Sequence, residues 1–319
     1  VILSILLTVL GLCLFETVSS IDNAIINAEV LGGMGQKARR WFLTWGIIVA
    51  VFVIRGLLPW LIVWLATPGL GPLEAFAAAF SNDPSVLEAI DRSRPPLLMG
   101  GGVFLVLLFL HWLFLEPKHF GLPGESAFMK RGVWFFAAAA ILLAVLVKFA
   151  LDVSSGLAFA AVLGSTGFFI TYGFKENAEK REEGLVAGAA GAAGGVAMSD
   201  ISKLLYLEII DATFSIDGVL GAFAFTLFVP IILIGNGLGA VVVRQITIGN
   251  IEKIKRYRYL KNGAMYSVLC LGTIMVSEGF GAGLPEWLSP VLTFAIVGGF
   301  FWKSVVAARK DDRAAKAGA

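Results

Sequence analysis

The chain is expected to be an all-α polytopic membrane protein: about nine transmembrane helices with an inverted-topology repeat, the N-terminus outside and the C-terminus cytoplasmic. Three observations carry that expectation. First, 58% of the 319 residues are hydrophobic, only 15% are charged and 8 are Trp, and runs of about 20 apolar residues recur along the chain. Second, the basic residues gather in alternate connections between those runs. Third, two short stretches in opposite halves carry the same acidic motif inside otherwise apolar sequence.

Taken in order, the apolar runs form a single transmembrane domain over residues 1–319. Span one covers roughly residues 3–31; Val1 to Leu14 runs on into the Asp22 motif without a small-residue cleavage site, so no cleavable signal is expected. Span two, 41–66, has Trp41, Trp60 and Trp64 near its ends, where an aromatic belt is the ordinary explanation. Residues 67–95 contain Pro68, Gly69, Gly71, Pro72 and Pro84 and read as the one long outer loop, with a short helix around Leu73 to Phe80. Span three, 96–115, holds Gly100, Gly101 and Gly102, suited to close helix packing within or between protomers, and His111, expected to be a packed histidine. Spans four (133–151) and five (156–174) precede a Gly/Ala-rich linker at 184–200, read as flexible or interfacial, with a close-packed re-entrant helix as the alternative. Spans six (204–226), seven (228–249), eight (262–280) and nine (286–306) complete the set, with Trp134, Trp287 and Trp302 again near span ends.

The loop charges test the count. Lys37, Arg39 and Arg40 follow span one; Lys118, Lys130 and Arg131 follow span three; Lys175, Lys180, Arg181 and Lys203 follow span five. Lys253, Lys255, Arg256, Arg258 and Lys261 follow span seven, and Lys303, Arg309, Lys310, Arg313 and Lys316 close the chain. The even-numbered connections hold only Arg92 and Arg94. Positive-inside bias therefore directs the basic loops and the C-terminus to the cytoplasm, and a miscounted span would destroy the alternation. A net charge of +2 spread this way gives no reason to expect a nucleic-acid partner; the expected surroundings are the lipid bilayer of the cell inner membrane.

Within this frame Glu16-Thr-Val-Ser-Ser20-Ile-Asp22-Asn23 and Asp211-Ala-Thr-Phe-Ser215-Ile-Asp217-Gly218 each read acid-x3-Ser-Ile-Asp. Span one leads inward and span six leads outward, so the copies run in opposite directions. Matched motifs in inverted repeats point to a shared site near the bilayer midplane, with repeat cores at 3–66 and 204–249. The likeness continues in Gly46-x8-Arg55 and Gly235-x8-Arg244.

On a continuous helix Glu16, Ser20, Asn23 and Asn27 form one polar stripe, and Glu208, Asp211 and Ser215 form its counterpart. Asp22 and Asp217 fall about 120° off these stripes, so either two faces are wet or the helices unwind near the Ser-Ile-Asp turn, Gly218 and Gly221 easing that in span six. The collected donors are carboxylate, hydroxyl and amide oxygens, with neither His111 nor His119 in the motifs and with Cys13 and Cys270 suggesting neither a disulfide nor a thiolate site. This is a hard-oxygen inventory, suited to Mn²⁺, Ca²⁺ or Mg²⁺. Two structural readings stand beside it: the acids could pair with Arg55, Arg244 and Lys148 as intramembrane ion pairs, and Ser20, Ser215, Asn27 and Asn236 could serve helix contacts alone.

Glu16-x3-Ser20-x-Asp22-Asn23 and Glu208-x2-Asp211-x2-Phe214-Ser215-x-Asp217 resemble the paired signatures of the TerC family of integral membrane proteins, part of the LysE-like transporter group, which includes manganese exporters. The resemblance covers spans one, two, six and seven. It implies Asp22, Asn23, Asp211 and Asp217 as metal-site positions, with Glu16 and Glu208 beside them; Asp22, Asp211 and Asp217 are then expected as ligands, with Asn23, Ser20 and Ser215 completing the shell. Where that family commonly continues Asp-Ser-Ile-Pro, this chain has Asp217-Gly218-Val219-Leu220, a divergent branch. The expected function is export of a divalent cation, Mn²⁺ foremost and Ca²⁺ second, by alternating access, with protons as coupling ion and a homo-oligomer as a further expectation. No enzymatic activity and no prosthetic group are expected. An intramembrane aspartyl protease is disfavoured because the chain has no Gly-x-Gly-Asp; a membrane scaffold or insertion partner in stress response is the rival from another class.

Overall fold

In the computed structural model the described residues are 2–21, 24–25, 27, 31, 34–46, 48–49, 56–57, 60–61, 64, 71–74, 84–189, 201, 204, 207, 216–249 and 256–317, with side chains described except at 43, 84–92, 174–189, 246–249 and 314–317. Among them the regular structure is helical throughout. The principal helices are α1 (Ile2–Ser19), α2 (Gln36–Trp41), α3 (Pro84–Leu115), α4 (Glu125–Met129), α5 (Phe135–Val153), α6 (Ser155–Ala189), α7 (Val229–Gly249), α8 (Leu260–Gly279) and α9 (Leu288–Ala317). A π-helical turn, Phe42–Gly46, continues α2, and residues 216–222 are also helical.

Among the described residues five stretches are long and apolar enough to cross a membrane: Ile2–Ser19, Ser93–Leu115, Gly132–Val153, Ser155–Gly173 and Leu288–Arg313. The protein is thus a helical membrane protein. Burial sorts these helices by layer: 78% of the α3 span is buried, against 17% of the span containing α5. A helix apolar on every side belongs in the interior or in lipid, and here α3 takes the first place and α5 the second. α5 turns Ile141, Phe149 and Leu151 outward.

The interior is laid out around α3, which packs on α8 and α6, while α5 packs on α6 and α1 packs on α7, α9 and α8. Glycine sets how closely these helices approach. Gly100 and Gly164 face each other at the α3–α6 crossing, where a Cβ on Gly164 would strike the Gly100 carbonyl. At the α3–α8 crossing a Cβ on Gly102 would lie 2.8 Å from the Gly272 carbonyl. The triple glycine of span three therefore packs helices within one chain.

Two segments differ from expectation. α3 begins at Pro84, inside the stretch read as outer loop 67–95, and runs through Pro95 and Pro96. Those prolines remove two ladder donors, yet the helix persists because its C-terminal part is held on several sides. α6 continues to Ala189, so the first residues of the 184–200 linker are helical; residues 190–200 lie outside the described residues, as do 75–80 of the expected Leu73–Phe80 helix.

The connection after α3 is a built clasp. Gly124, at φ 99°, turns the chain into α4, and Glu125, 2% exposed, accepts hydrogen bonds from the Gly121 and Leu122 amides at 2.7 and 3.0 Å. Tyr266 Oη and Asn262 Nδ2 of α8 donate to the same carboxylate at 2.9 and 3.2 Å. A buried charge with this many donors is satisfied, and it fastens the loop to the core.

Candidate functional site

The first acidic motif sits at the end of α1. Its hydroxyls back-bond within the helix, Thr17 Oγ1 to the Cys13 carbonyl at 2.7 Å and Ser19 Oγ to the Glu16 carbonyl at 3.3 Å. Ser20 forms a turn, helical geometry resumes at Ile21, and the Ala24 amide donates to the Ser20 carbonyl at 3.0 Å. The polar stripe is real over its first step: Ser20 Oγ donates to Glu16 Oε1 at 3.0 Å. Glu16 is only 1% exposed, so this carboxylate lies among apolar helices, where an ionisable group carries a functional expectation.

What Glu16 touches brings the motifs together. A Cβ on Gly218 would lie 2.5 Å from Glu16 Oε2, and one on Gly239 of α7 would lie 2.6 Å from Glu16 Cβ. Glu16 of the first motif therefore rests against the residue that follows Asp217 in the second. The neighbouring contacts run in antiparallel register: Gly221 lies under the Phe15 ring, Gly11 lies against Phe225, and Leu31 shares a buried cluster with Leu207. As the first segment is followed forward, the second is followed backward. Gly218 and Gly221 thus permit close approach of α1 to a helical segment; of the two alternatives, wet faces or unwinding, unwinding is not found at 216–222, while Ser215 lies outside the described residues.

Asp217, half-buried, lines a cavity of about 370 Å³ with His111, Glu116, Phe168, Tyr172 and Lys261 among its walls. Lys261 Nζ lies 2.7 Å from Glu116 Oε2, and His111 Nδ1 lies 3.5 Å from Glu116 Oε1. The His111 ring packs on Tyr172 at 4.2 Å and edge-on to Phe135 at 5.5 Å. It is a packed histidine, as expected, but its buried Nε2 has no hydrogen-bond partner among the described residues.

Of the other predicted positions, Asn236 on α7 is fully buried, and neither amide atom has a partner among the described residues. It lies within one turn of Gly239, on the side of α7 that meets α1. Asn27 is 4% exposed and its Oδ1 likewise has no described partner. Arg244, 5% exposed, donates from Nη1 to the Phe42 carbonyl at 2.6 Å and stacks over that ring at 3.8 Å. Lys148 is exposed on the outer helix α5, which packs on α6 and α3. Asp22, Asn23, Arg55, Glu208, Asp211 and Ser215 lie outside the described residues. Among the described residues no three His, Cys, Asp or Glu side chains come together to hold a metal ion.

Sequence reasoning missed Glu116 and Lys261 as members of the Asp217 cavity and missed Glu125 as a buried hub. The available signal was weak: Glu116 ends span three and Lys261 begins span eight, where solvated charges are unremarkable. Only packing of α8 on α3 brings them together. Cys13 and Cys270 are free thiols.

A buried carboxylate packed against the residue that follows Asp217, and a cavity with charged walls among apolar helices, belong to an integral membrane protein that carries polar groups between its helices. The chain matches, over residues 21–311, a family described as protein of unknown function (DUF475), and it belongs to that family. No curated protein and no solved structure matches it.

Proposed function

We propose that this protein is a secondary transporter that exports a divalent metal cation, Mn²⁺ first and Ca²⁺ second, by alternating access of two inverted repeats. The observation that carries the reading is the contact between Glu16 of the first motif and Gly218 of the second, deep between apolar helices. The antiparallel register of the contacts around it supports inversion of the two halves, and the TerC resemblance of both motifs supports the metal. Asp217 with Asp22 and Asp211 would ligate the ion, Asn23, Ser20 and Ser215 would complete its shell, and Glu16 and Glu208 would stand beside it. The Asn236 amide and Asn27 Oδ1, which have no partner among the described residues, add oxygen donors to the same interior. An uncompensated buried amide costs about 1–3 kcal/mol, so such groups are expected where a cation or water completes them.

In this reading nine spans place the chain in the cell inner membrane with its C-terminus cytoplasmic, and the Asp217 cavity is the route between the centre and the basic face. Clustered carboxylates raise one another's proton affinity, which favours protons as the counter-ion. The test is Mn²⁺ flux in proteoliposomes with a pH dye in the lumen. Wild type moves Mn²⁺ with an opposite lumenal pH change, and Asp217→Asn or Asp22→Asn abolishes both. Full flux in those variants sinks the transporter reading, and flux without a pH change sinks only the coupling. A scaffold tolerates both substitutions together, with unaltered cellular Mn, Ca and Mg under metal stress.

A further inference from the structure

We propose that the segment joining the first two spans carries a binding site for an anionic phospholipid headgroup, formed by Lys37 and Arg40 with Trp41 and Trp45 as its walls. These residues, with Gln36 and Thr44, line an open groove of about 360 Å³. Their spacing, at i, i+3, i+4 and i+8, puts them along one side of a helix. Trp41 and Trp45 are 43% and 59% exposed, and Lys37, Arg39 and Arg40 are all exposed.

The side opposite the groove is anchored. Phe42 is fully buried, its carbonyl accepts from Arg244 Nη1 at 2.6 Å and its ring lies under the same guanidinium at 3.8 Å, while Ala38 packs with Leu31 and Leu207. The turn is therefore fixed from within, and its two tryptophans are held outward. None of the three cations pairs with an acid among the described residues, and no Asp or Glu occurs between Leu31 and Leu73. Charge complementarity thus selects an anion.

The tryptophans select its source. Large amphipathic rings exposed at the end of an apolar span sit at headgroup level. Three residues beyond Trp45, on the same side of the segment, Ile48 is 46% exposed and offers acyl chains an apolar surface beside the groove. Trp60 and Trp64 stack at 6.3 Å toward the other end of the apolar run, where a second set of interfacial rings is expected. A phosphate at the level of Trp41 and Trp45 therefore belongs to a lipid whose chains descend along span two.

The experiment is native mass spectrometry of the full chain released from nanodiscs of equimolar phosphatidylglycerol and phosphatidylcholine. Wild type retains phosphatidylglycerol in preference. Near an anionic surface each cation contributes about a fivefold preference, so Lys37→Gln with Arg40→Gln lowers the ratio by about 30-fold. The charge-preserving pair Lys37→Arg with Arg40→Lys keeps the preference, which separates lost charge from lost fold. Trp41→Ala with Trp45→Ala reduces retention of both lipids. Equal retention by wild type, or a preference that survives removal of both cations, overturns the proposal.

Discussion

Gly218 and Gly239 both face Glu16, yet substitution at the two should have opposite consequences. At Gly239 a methyl would meet Glu16 Cβ at 2.6 Å, Cγ at 2.7 Å and the Cys13 carbonyl at 2.9 Å. Those atoms belong to the backbone of α1 or lie beside it, so no rotamer relieves the clash and α1 must move away from α7. Overpacking of that kind costs about 1–3 kcal/mol, offset by roughly 1 kcal/mol of helix propensity gained on replacing glycine. Gly239→Ala should thus lose up to about 2 kcal/mol, about 1 kcal/mol at the middle of the range. At Gly218 the methyl would lie 2.5 Å from Glu16 Oε2 and 3.6 Å from Cδ, the far end of a flexible side chain. The carboxylate can swing aside, giving up its 3.0 Å bond from Ser20, worth about 1 kcal/mol. That loss roughly cancels the propensity gain, so Gly218→Ala should unfold near the wild-type temperature with Glu16 displaced. The assay pairs thermal unfolding of detergent-purified protein with Mn²⁺ flux in proteoliposomes. Gly239→Ala is expected to melt earlier, and Gly218→Ala to melt normally and lose most of its flux. If Gly239→Ala melts with wild type, α1 does not press on α7 as described. If Gly218→Ala transports normally, the position of Glu16 beside the second motif has no part in transport.

Three further outcomes follow from the packing. Gly164→Ala drives a methyl into the Gly100 carbonyl across the α3–α6 crossing, where two backbones meet and neither can yield; a loss of about 1–3 kcal/mol is expected, larger than at Gly173, where nothing lies within reach of an added Cβ, both read from thermal unfolding. Arg244→Met removes the donor to the buried Phe42 carbonyl and should cost about 1–3 kcal/mol, read the same way, while leaving Asp217 and its cavity in place. Lys118, in the loop after α3, donates to the Trp112 and Leu113 carbonyls, and burial pushes its ammonium down to about 8 against the upward pull of Glu125 and Glu116. Because the folded form favours neutral Lys118, the unfolded chain binds more protons between about 8 and the ordinary 10.5. Stability attributable to this residue should therefore rise with pH across that window and be flat below it. Melting temperature against pH for wild type and Lys118→Gln checks this: the wild-type curve gains on the variant above pH 8, and parallel curves refute it.

Much of the helical plan was legible because two independent signals, apolar length and loop charge, agree at most boundaries. Spans four, seven, eight and nine were placed at 133–151, 228–249, 262–280 and 286–306, and the helices found there are α5 (Phe135–Val153), α7 (Val229–Gly249), α8 (Leu260–Gly279) and α9 (Leu288–Ala317). Legibility failed where a helix outlasts its apolar run. Neither the turn α3 makes through Pro84 to Arg94 nor the charged stretch of α6 from Lys175 to Glu183 differs in composition from a loop. What extends them is the cooperativity of a helix already nucleated by buried neighbours. Glycine marks the other limit. Read along the sequence, Gly218 and Gly221 suggested a place for the chain to unwind. Across the packed interior they are instead the gaps that admit the Glu16 carboxylate and the Phe15 ring.

The same limit explains the Asp217 cavity. The motif pair singled out carboxylates spaced along two segments, so positions on those segments could be named in advance. Glu116 and Lys261 enter only because Gly102 and Gly272 let α8 lie flush on α3, placing the end of one span beside the beginning of another. Their ion pair is partly exposed and contributes little stability by itself, so stability alone gives it no reason to stand beside Asp217. Together with His111, whose Nε2 has no partner among the described residues, it gives the cavity beside Asp217 a polar wall from outside the duplicated motif. Of the two motifs' acids among the described residues, Glu16, which opens the first motif, is sealed against glycine, and Asp217, which closes the second, faces a cavity.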